Sequence, residues 1–354
     1  MGHIILVFTL TTVIGWTAIP AVAQELTPVS RMKRGDTWEL VLGSASATGS
    51  YFVGMSALAA VISEKLPNVR ATATVSPGSA VEVFPQLQRA ERAGGMHTSY
   101  DLEIGYKGEA NFKGRRIPIA SWFFAQEALY NVFVLKKHGI TKVLDLKGSG
   151  LKFGGTVVPV TRERPERWDQ TFAFFNALLT AHGVDPFKDV KIVAYNTSQS
   201  IEQLGNGAID GLSASRGLGD GAIMEMSTKQ DVVLLQPDPN AIRKVEASFP
   251  VYAKPFPPEA YPRITVPAPQ VAFFHGVYAV LHSGLPDDLV YDLTKVVWEN
   301  IDVLRNAHPG FRVARLEDAL KGMTVPPHPG ALRYYLERGV KGADAFVKQC
   351  CQIY

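Results

Sequence analysis

The stretch Trp38-Glu39-Leu40-Val41-Leu42-Gly43-Ser44-Ala45-Ser46-Ala47-Thr48-Gly49-Ser50-Tyr51-Phe52-Val53-Gly54-Met55 sets the reading of the fold. The apolar run Trp38 to Leu42 stops at a glycine, as a buried parallel strand does. A loop of small and hydroxyl residues, 43–50, follows. Then Phe52, Met55, Ala59, Ile62 and Leu66 recur at three- and four-residue spacing, which gives a helix one apolar face. The pattern repeats at once. Val69, Ala71, Ala73 and Val75 alternate as a strand, Ser76-Pro77-Gly78-Ser79 turns the chain, and Val81, Phe84 and Leu87 share a helical face. Strand, loop and helix in succession build a parallel α/β sheet.

Further along, Ile117 to Phe124 and Asn131 to Leu135 read as two apolar strands, and Val143-Leu144-Asp145-Leu146-Lys147-Gly148 leads to another at Leu151 to Gly154. A long loop, Gly155 to Gln170, ends at a helix with Phe172, Phe175 and Leu179 on one side. Val190 to Ala194, Ile209 to Leu212 and Asp231 to Leu235 continue the strands, and Asn196-Thr197-Ser198-Gln199 opens a helix. Val271 to Leu281 is an apolar strand placed to return to the first unit. Pro286 marks a helix start, with Asp287 and Asp288 in the first turn and Arg305 in the last, matching the helix dipole. Leu289, Leu293, Val297, Ile301 and Leu304 face one way along it. The expectation is an α/β protein of two interleaved lobes, residues 37–125 plus 271–354 and residues 126–270. Each would be a mixed or parallel sheet flanked by helices.

The bulk numbers fit. A chain of 354 residues is long for one compact domain, and 46% hydrophobic residues supply an ample core. Only 19% are charged, the net charge is +3, and no block of like charges appears, which excludes a nucleic-acid track. Residues 1–23 carry no Lys, Arg, Asp or Glu, and Ile4 to Ile19 is apolar with scattered threonines. With the small-residue ending Ala21-Val22-Ala23 this reads as a secretory signal peptide, so the mature protein is expected in the periplasm. The two cysteines, Cys350 and Cys351, are adjacent at the C-terminus, where a mutual disulfide would be strained.

In open α/β sheets ligands bind beyond the carboxyl ends of the strands. Here those loops are 43–50, 76–79, 154–170 and 196–199, the first two rich in Gly, Ser and Thr. Glycine lets a ligand approach the backbone, and the helix start behind it presents unpaired N–H groups to an anion. Ser79 and Glu82 also have capping-box spacing, which would occupy Ser79 with its own helix. Enzyme signatures fare worse. Gly43 to Ala47 and Gly211 to Ser215 lack the closing glycine of a nucleophile elbow, and neither a zinc-protease helix nor a phosphate loop is present. His97, Ser99 and Asp101 spell a triad in print only, since triads are assembled by the fold. The histidines show no metal spacing, and no cofactor is expected. Arg162, Arg164 and Arg167 alternate with Glu163 and Glu166, as on a solvated loop.

Gly43 to Gly54 resembles the first ligand loop of the TAXI solute receptors of tripartite ATP-independent periplasmic (TRAP) transporters. Pro77-Gly78-Ser79, Thr98-Ser99-Tyr100-Asp101, Asp145-Leu146-Lys147-Gly148, Ile209-Asp210-Gly211, Tyr291-Asp292-Leu293-Thr294-Lys295 and His328-Pro329-Gly330-Ala331-Leu332-Arg333-Tyr334-Tyr335 follow in the family's order. The resemblance implies a type II periplasmic-binding-protein fold without catalysis. It implies capture of a small anionic solute, a glutamate-like or dicarboxylate molecule, and delivery to a sodium-coupled TRAP permease. A sensor or buffering receptor of the same fold without a permease is the alternative. On this reading Ser46, Thr48, Gly49, Ser50, Tyr51, Gly78 and Ser79 bind from one lobe, and Thr171, Ser198 and Arg216 from the other. The sequence departs from the family at Ala45 and Thr48, where glycines are usual. It also departs in the stretch Gly155–Thr171, which replaces a short Gly-Ser-Gly-Thr loop.

Overall fold

The computed structural model describes residues 29–44, 47, 49–76, 80–156 and 158–350. The expected signal segment 1–23, the candidate residues Ser46, Thr48, Gly78 and Ser79, and Cys351 lie outside the described residues. Strands β1 (Lys33–Arg34), β2 (Thr37–Ser44), β3 (Val69–Val75) and β4 (Gly94–Thr98) alternate with helices α1 (Ser50–Lys65), α2 (Ala80–Gln88) and α3 (Ser99–Lys107). The 17-residue strand β5 (Ile119–Leu135) leads into β6 (Lys152–Gly154), α4 (Gln170–Ala181), β7 (Lys191–Ile192), α5 (Thr197–Gly205) and β8 (Gly211–Gly217). There follow α6 (Gly221–Lys229), β9 (Val232–Leu234), α7 (Pro239–Ser248) and β10 (Tyr252–Pro255). The 12-residue strand β11 (Val271–His282) precedes α8 (Asp287–Glu299), α9 (Ile301–Ala307) and α10 (Pro329–Glu337).

Among the described residues one 11-stranded sheet runs β1-β2-β4-β11-β5-β8-β6-β7, with β3 on β2, β10 on β11 and β9 on β5. Toward its two ends it is parallel, β2 with β3 and β4, and β6 with β7 and β8, apart from the short β1, which runs antiparallel to β2. Its middle is antiparallel, β11 lying between β4 and β5, and β5 pairing on its other edge with β8. Residues 119–126 of β5 face 277–282 of β11, and residues 127–130 face 273–276. β4 meets only residues 277–281 of β11, whereas β8 meets residues 128–134 of β5. The register slips between Val277 and Tyr278 and again between Ala279 and Val280. Such bulges bend and twist a strand pair locally.

The two apolar stretches that read as separate strands, Ile117 to Phe124 and Asn131 to Leu135, are therefore one strand. The polar pair Gln126-Glu127 between them is a crossing, not a turn. The apolar core divides near this crossing. One cluster draws on residues 32–128 and 277–343, and two others on residues 129–274. A second difference lies in the last helical segment, which breaks at Asn300 into α8 and α9. The Asn300 side chain donates to the Val296 carbonyl at 2.8 Å, the local backbone bonding that makes asparagine a poor helix interior. Leu289, Leu293, Val297, Ile301 and Leu304 are nevertheless all buried, as the periodicity requires.

Polar tips of the large aromatic residues are paired inside the first cluster. Trp122 Nε1 donates to Thr294 Oγ1 at 2.9 Å, Tyr335 Oη donates to the Trp122 carbonyl at 2.6 Å, and Trp298 Nε1 donates to Tyr335 Oη at 3.3 Å. This ties α8 and α10 to the base of β5. The 3-10 turn Pro309–Val313 is set against α1 because Gly54 has no side chain; a Cβ there would come within 2.5 Å of the Phe311 ring. Removing one partner from a buried bonded group costs about 1–3 kcal/mol. Tyr335→Phe should therefore destabilise the protein by about 1–3 kcal/mol, read as a lower urea midpoint with an unchanged m value.

Candidate functional site

Four helices start near the crossing of β5 and β11, beyond the carboxyl ends of parallel strands, where ligands bind in such sheets. Helix α1 begins at Gly49, whose backbone is extended (φ −83°, ψ 148°) and offers no side-chain cap. Helix α3 is capped by Thr98, α4 by Asp169 and α5 by Asn196. The Asn196–Gln199 capping box closes with both bonds at 3.0 Å. An uncapped start leaves N–H groups free for an anion, with the positive end of the helix dipole behind them.

Six of the sequence candidates fall on described residues. Gly49 is the start of α1. Ser50 is buried in the first turn, and its Oγ accepts a hydrogen bond from Gln126 Nε2 at 2.9 Å. Its hydroxyl is thus tied to the β5 crossing. The Tyr51 hydroxyl is within hydrogen-bond reach of Ser215 of β8, and the charges of Asp101 and Arg216 both act on it. Burial, with Asp101 adding, pushes that hydroxyl well above its usual pKa. Arg216 is 8% exposed. Its guanidinium donates to Ser198 Oγ at 3.2 Å and lies 3.8 Å from Asp220, while its buried Nε has no protein partner. Thr171 is buried at the start of α4, next to Gln170, which accepts from the Tyr130 hydroxyl at 2.6 Å. The structure thus brings Tyr51, Ser198 and Arg216 together, with Gly49 and Ser50 at the adjoining end of α1. The arginines of the long loop are elsewhere. Arg162 donates from one guanidinium nitrogen to both Asp185 oxygens at 2.6 Å, and Arg164 pairs with Glu166.

Sequence reasoning missed the residues that line the crossing itself. Ser215 Oγ lies 2.8 Å from His275 Nε2, and His275 Nδ1 lies 3.2 Å from the Gly276 carbonyl. A carbonyl only accepts, so Nδ1 carries the proton and Nε2 accepts from the serine. Burial lowers the His275 pKa to about 4, so the ring stays neutral. Gln126 is fully buried and its Oε1 has no partner; a Cβ on Gly310 would come within 2.5 Å of that oxygen. The only advance signals were polar residues, Gln126 and His275, inside strongly apolar strands.

Asp101 is buried as well, like Asp169 and Asp220. It is 4% exposed, and Thr98 Oγ1 donates to its Oδ2 at 3.1 Å. Burial, reinforced by Asp169 and opposed by the Thr98 hydrogen bond, raises its pKa from 3.8 to about 7. His97 and Ser99 make no triad with it: His97 Nε2 is buried without a partner, and Ser99 Oγ donates to the Pro250 carbonyl. A carboxyl raised by folding binds more protons in the native than in the unfolded state between these two pKa values. Stability is therefore lost as pH rises from about 4 to about 7 and stays low above. Asp101→Asn should remove that slope, raising the melting temperature of the unliganded protein more at pH 8 than at pH 5.

Across the cleft mouth Tyr100 stacks on Phe249 with ring centroids 4.6 Å apart, and Asn111 Nδ2 donates to the Trp168 carbonyl at 3.2 Å. Trp168 belongs to the long stretch between β6 and α4, which thus touches the segment after α3.

The model of the NMT1-like family matches residues 42–339 of the chain. Among solved structures, the periplasmic aliphatic sulphonate binding protein of Escherichia coli is 10% identical, with a TM-score of 0.43, over 90% of this chain and 87% of that one. A TRAP periplasmic solute binding protein from Sulfitobacter sp. NAS-14.1 with bound β-D-galacturonate is 10% identical, with a TM-score of 0.46, over 89% and 96% of the two chains. Another, from Pseudomonas aeruginosa PAO1 with bound L-malate, is 10% identical, with a TM-score of 0.45, over 77% and 87%. With its family matched from β2 to just past the end of α10, the chain belongs to the NMT1-like family of substrate-binding receptors.

Proposed function

We propose that this protein is an extracytoplasmic receptor that closes two lobes around one small carboxylate and hands it to a membrane permease of the TRAP type, as the TAXI receptors do. The lobes are residues 37–125 with 271–354 and residues 126–270, hinged where β5 and β11 cross. The observation that carries this reading is Arg216. A guanidinium 8% exposed, with its Nε unpartnered, is aligned at a cleft bordered by the open start of α1. Such a group matches a carboxylate by paired N–H donors.

Micromolar binding corresponds to about −8 kcal/mol. A ligand of ten heavy atoms then needs roughly 0.8 kcal/mol per atom, within the ceiling of about 1.5. That efficiency requires near-complete burial, which closure of two walls provides and one wall does not. Tyr51, Ser198 and Arg216 hold the carboxylate on this reading, with Gly49 and Ser50 contributing backbone N–H groups. Ser46, Thr48, Gly78, Ser79 and Thr171 complete the proposed lining. The signal segment 1–23 would deliver the mature protein to the periplasm.

A ligand at a hundred times its Kd stabilises the native state by about 2.7 kcal/mol, roughly 4 °C in melting temperature for a chain of this length. The mature chain from Gln24 should show such a shift with a small carboxylate recovered intact. Arg216→Met should abolish the shift, and Tyr51→Phe should reduce it. An unchanged affinity in Thr48→Val with Ser50→Ala would remove the first loop from the site. A compound turned over rather than recovered would point to an enzyme instead.

A further inference from the structure

The crossing of β5 and β11 has a second side. Successive side chains of a strand point to opposite faces, so Gln126, bonded to Ser50 at the start of α1, and Glu127 look opposite ways. The Glu127 side chain is 17% exposed. Its Oε1 accepts from Tyr252 Oη at 2.7 Å and lies 3.4 Å from Lys321 Nζ, and its Oε2 pairs with Lys254. Opposite Glu127 in the register stands Gly276, where a Cβ would come within 2.7 Å of the Tyr278 hydroxyl oxygen. The bare backbone of Gly276 leaves that space to Tyr278, whose Oη donates to the Lys321 carbonyl at 2.9 Å.

The two lysines are held by different parts of the chain. Lys254 lies in β10, which pairs with residues 271–274 of β11, and the neighbouring Ala253 N–H donates to Glu246 of α7 at 2.7 Å. Lys321 lies between α9 and α10, in a segment laid along the other half of β5. There the Phe124 N–H donates to the Ala319 carbonyl at 2.8 Å, and the Ser121 N–H to the Pro326 carbonyl at 3.0 Å. Each ammonium also lies over a ring of the crossing strands, Lys254 at 4.0 Å from the centre of Phe274 and Lys321 at 5.2 Å from that of Phe124. Ring faces attract positive charge, which keeps both lysines beside the carboxylate.

The same two parts also meet on the other face. Tyr130 shares the face of Gln126, and its ring lies 5.6 Å from Phe249, which stacks on Tyr100 at 4.6 Å. Beside them Ser99 Oγ donates to the Pro250 carbonyl at 3.4 Å. The crossing is thus closed by rings on one face and by ions on the other. A rotation about it would carry Lys321 with residues 119–124 and Lys254 with residues 271–274, so the two would part while Glu127 stays at the junction. The Lys321 contact is the longer and more exposed, and it gives way first.

We propose that Glu127 is a clasp for the lobe arrangement seen here, one carboxylate shared by Lys254 of the second lobe and Lys321 of the first, released when the lobes swing apart. This rests on the receptor reading above and adds a control on its closure, at a place the solute does not touch. Ion pairs of this kind shift a two-state ratio by about two- to fivefold, enough to tune closure without locking it.

Pulsed electron-resonance distances on the mature, unliganded chain test it. Spin labels go on Arg70→Cys and Lys188→Cys, one exposed position in each lobe, with Cys350→Ser and Cys351→Ser throughout. The expected result is two distances, one for the arrangement seen here and one for the open form. Lys321→Met should lower the ratio of the first to the second by about two- to fivefold, and Lys321→Arg should restore it. Glu127→Gln should lower it further. Lys321→Met is the deciding variant, because Lys321 is 52% exposed and its loss leaves the Glu127–Lys254 pair in place. Raising the salt from about 0.01 M to about 1 M should move the natural sequence the same way and Lys321→Met much less. Two distances in an unchanged ratio in Lys321→Met would overturn the clasp and leave the receptor standing. A single distance, the same in every variant and at every salt, would count against lobe motion itself and so against both.

Discussion

The antiparallel pairing of β5 with β11 is the constraint on which the rest depends. Each strand contributes to all three apolar clusters, and each changes partners midway: β5 from β11 alone to β11 and β8, β11 from β4 to β10. The chain can therefore form two packed units without breaking its sheet. The crossing must stay polar enough to serve a cleft and ordered enough to remain in register. Gln126, Glu127 and His275 supply the polarity, and hydrogen bonding from both edges supplies the order. On the outer side Glu127 accepts from Tyr252 at 2.7 Å and pairs with Lys254 and Lys321, a small ionic cluster where β10 and the segment after α9 meet the crossing.

The electrostatics of the cleft follow from this geometry. Helices packed on a sheet whose ends are parallel must start at the carboxyl edges, so several helix termini point at one space. Their dipoles favour negative charge, and Arg216 adds to it. Asp101 and Asp169 work against it, since both are caps or first-turn residues of those same helices. Acidic residues there stabilise the helix start. Neutral His275 and the Tyr51 hydroxyl bridge the walls without adding charge.

Local patterns made most of the fold legible. Periodicity in Phe172 to Leu179 and in Leu289 to Leu304 reports burial directly, because a side chain's face is fixed by its position in the element, whereas the alternation of Val69 to Val75 holds only for Val69 and Ala71, Val75 being half exposed. What the patterns could not show was continuity across Gln126-Glu127, since two polar residues inside an apolar run look like a turn until their pairing partners are known. The break at Asn300 was hidden for the converse reason: the apolar spacing persists across it. Tyr51 and Ser198 could be found because each lies in the first turn of a helix, whereas Arg216 lies inside β8. Ser215 and His275 meet across 60 residues of sequence. Asp101 spelled a familiar catalytic pattern with His97 and Ser99, although its neighbours in space are Thr98, Asp169 and three tyrosines.

The order of strands in space bears on the order of events during synthesis. β4 has β2 on one edge and β11 on the other, so the first half-sheet keeps an open edge until residues 271–282 exist. The whole of the intervening unit, residues 136–270, is made before that edge is closed. A bare strand edge is a template for pairing with another chain. A nascent or translocating chain thus carries an unsheathed Gly94–Thr98 strand through most of its production, and its solubility in that interval depends on whatever keeps partner strands away. Truncations that stop short of β11 would leave the same edge uncovered permanently. The second unit, whose β8 edge meets a strand already made, has no such wait.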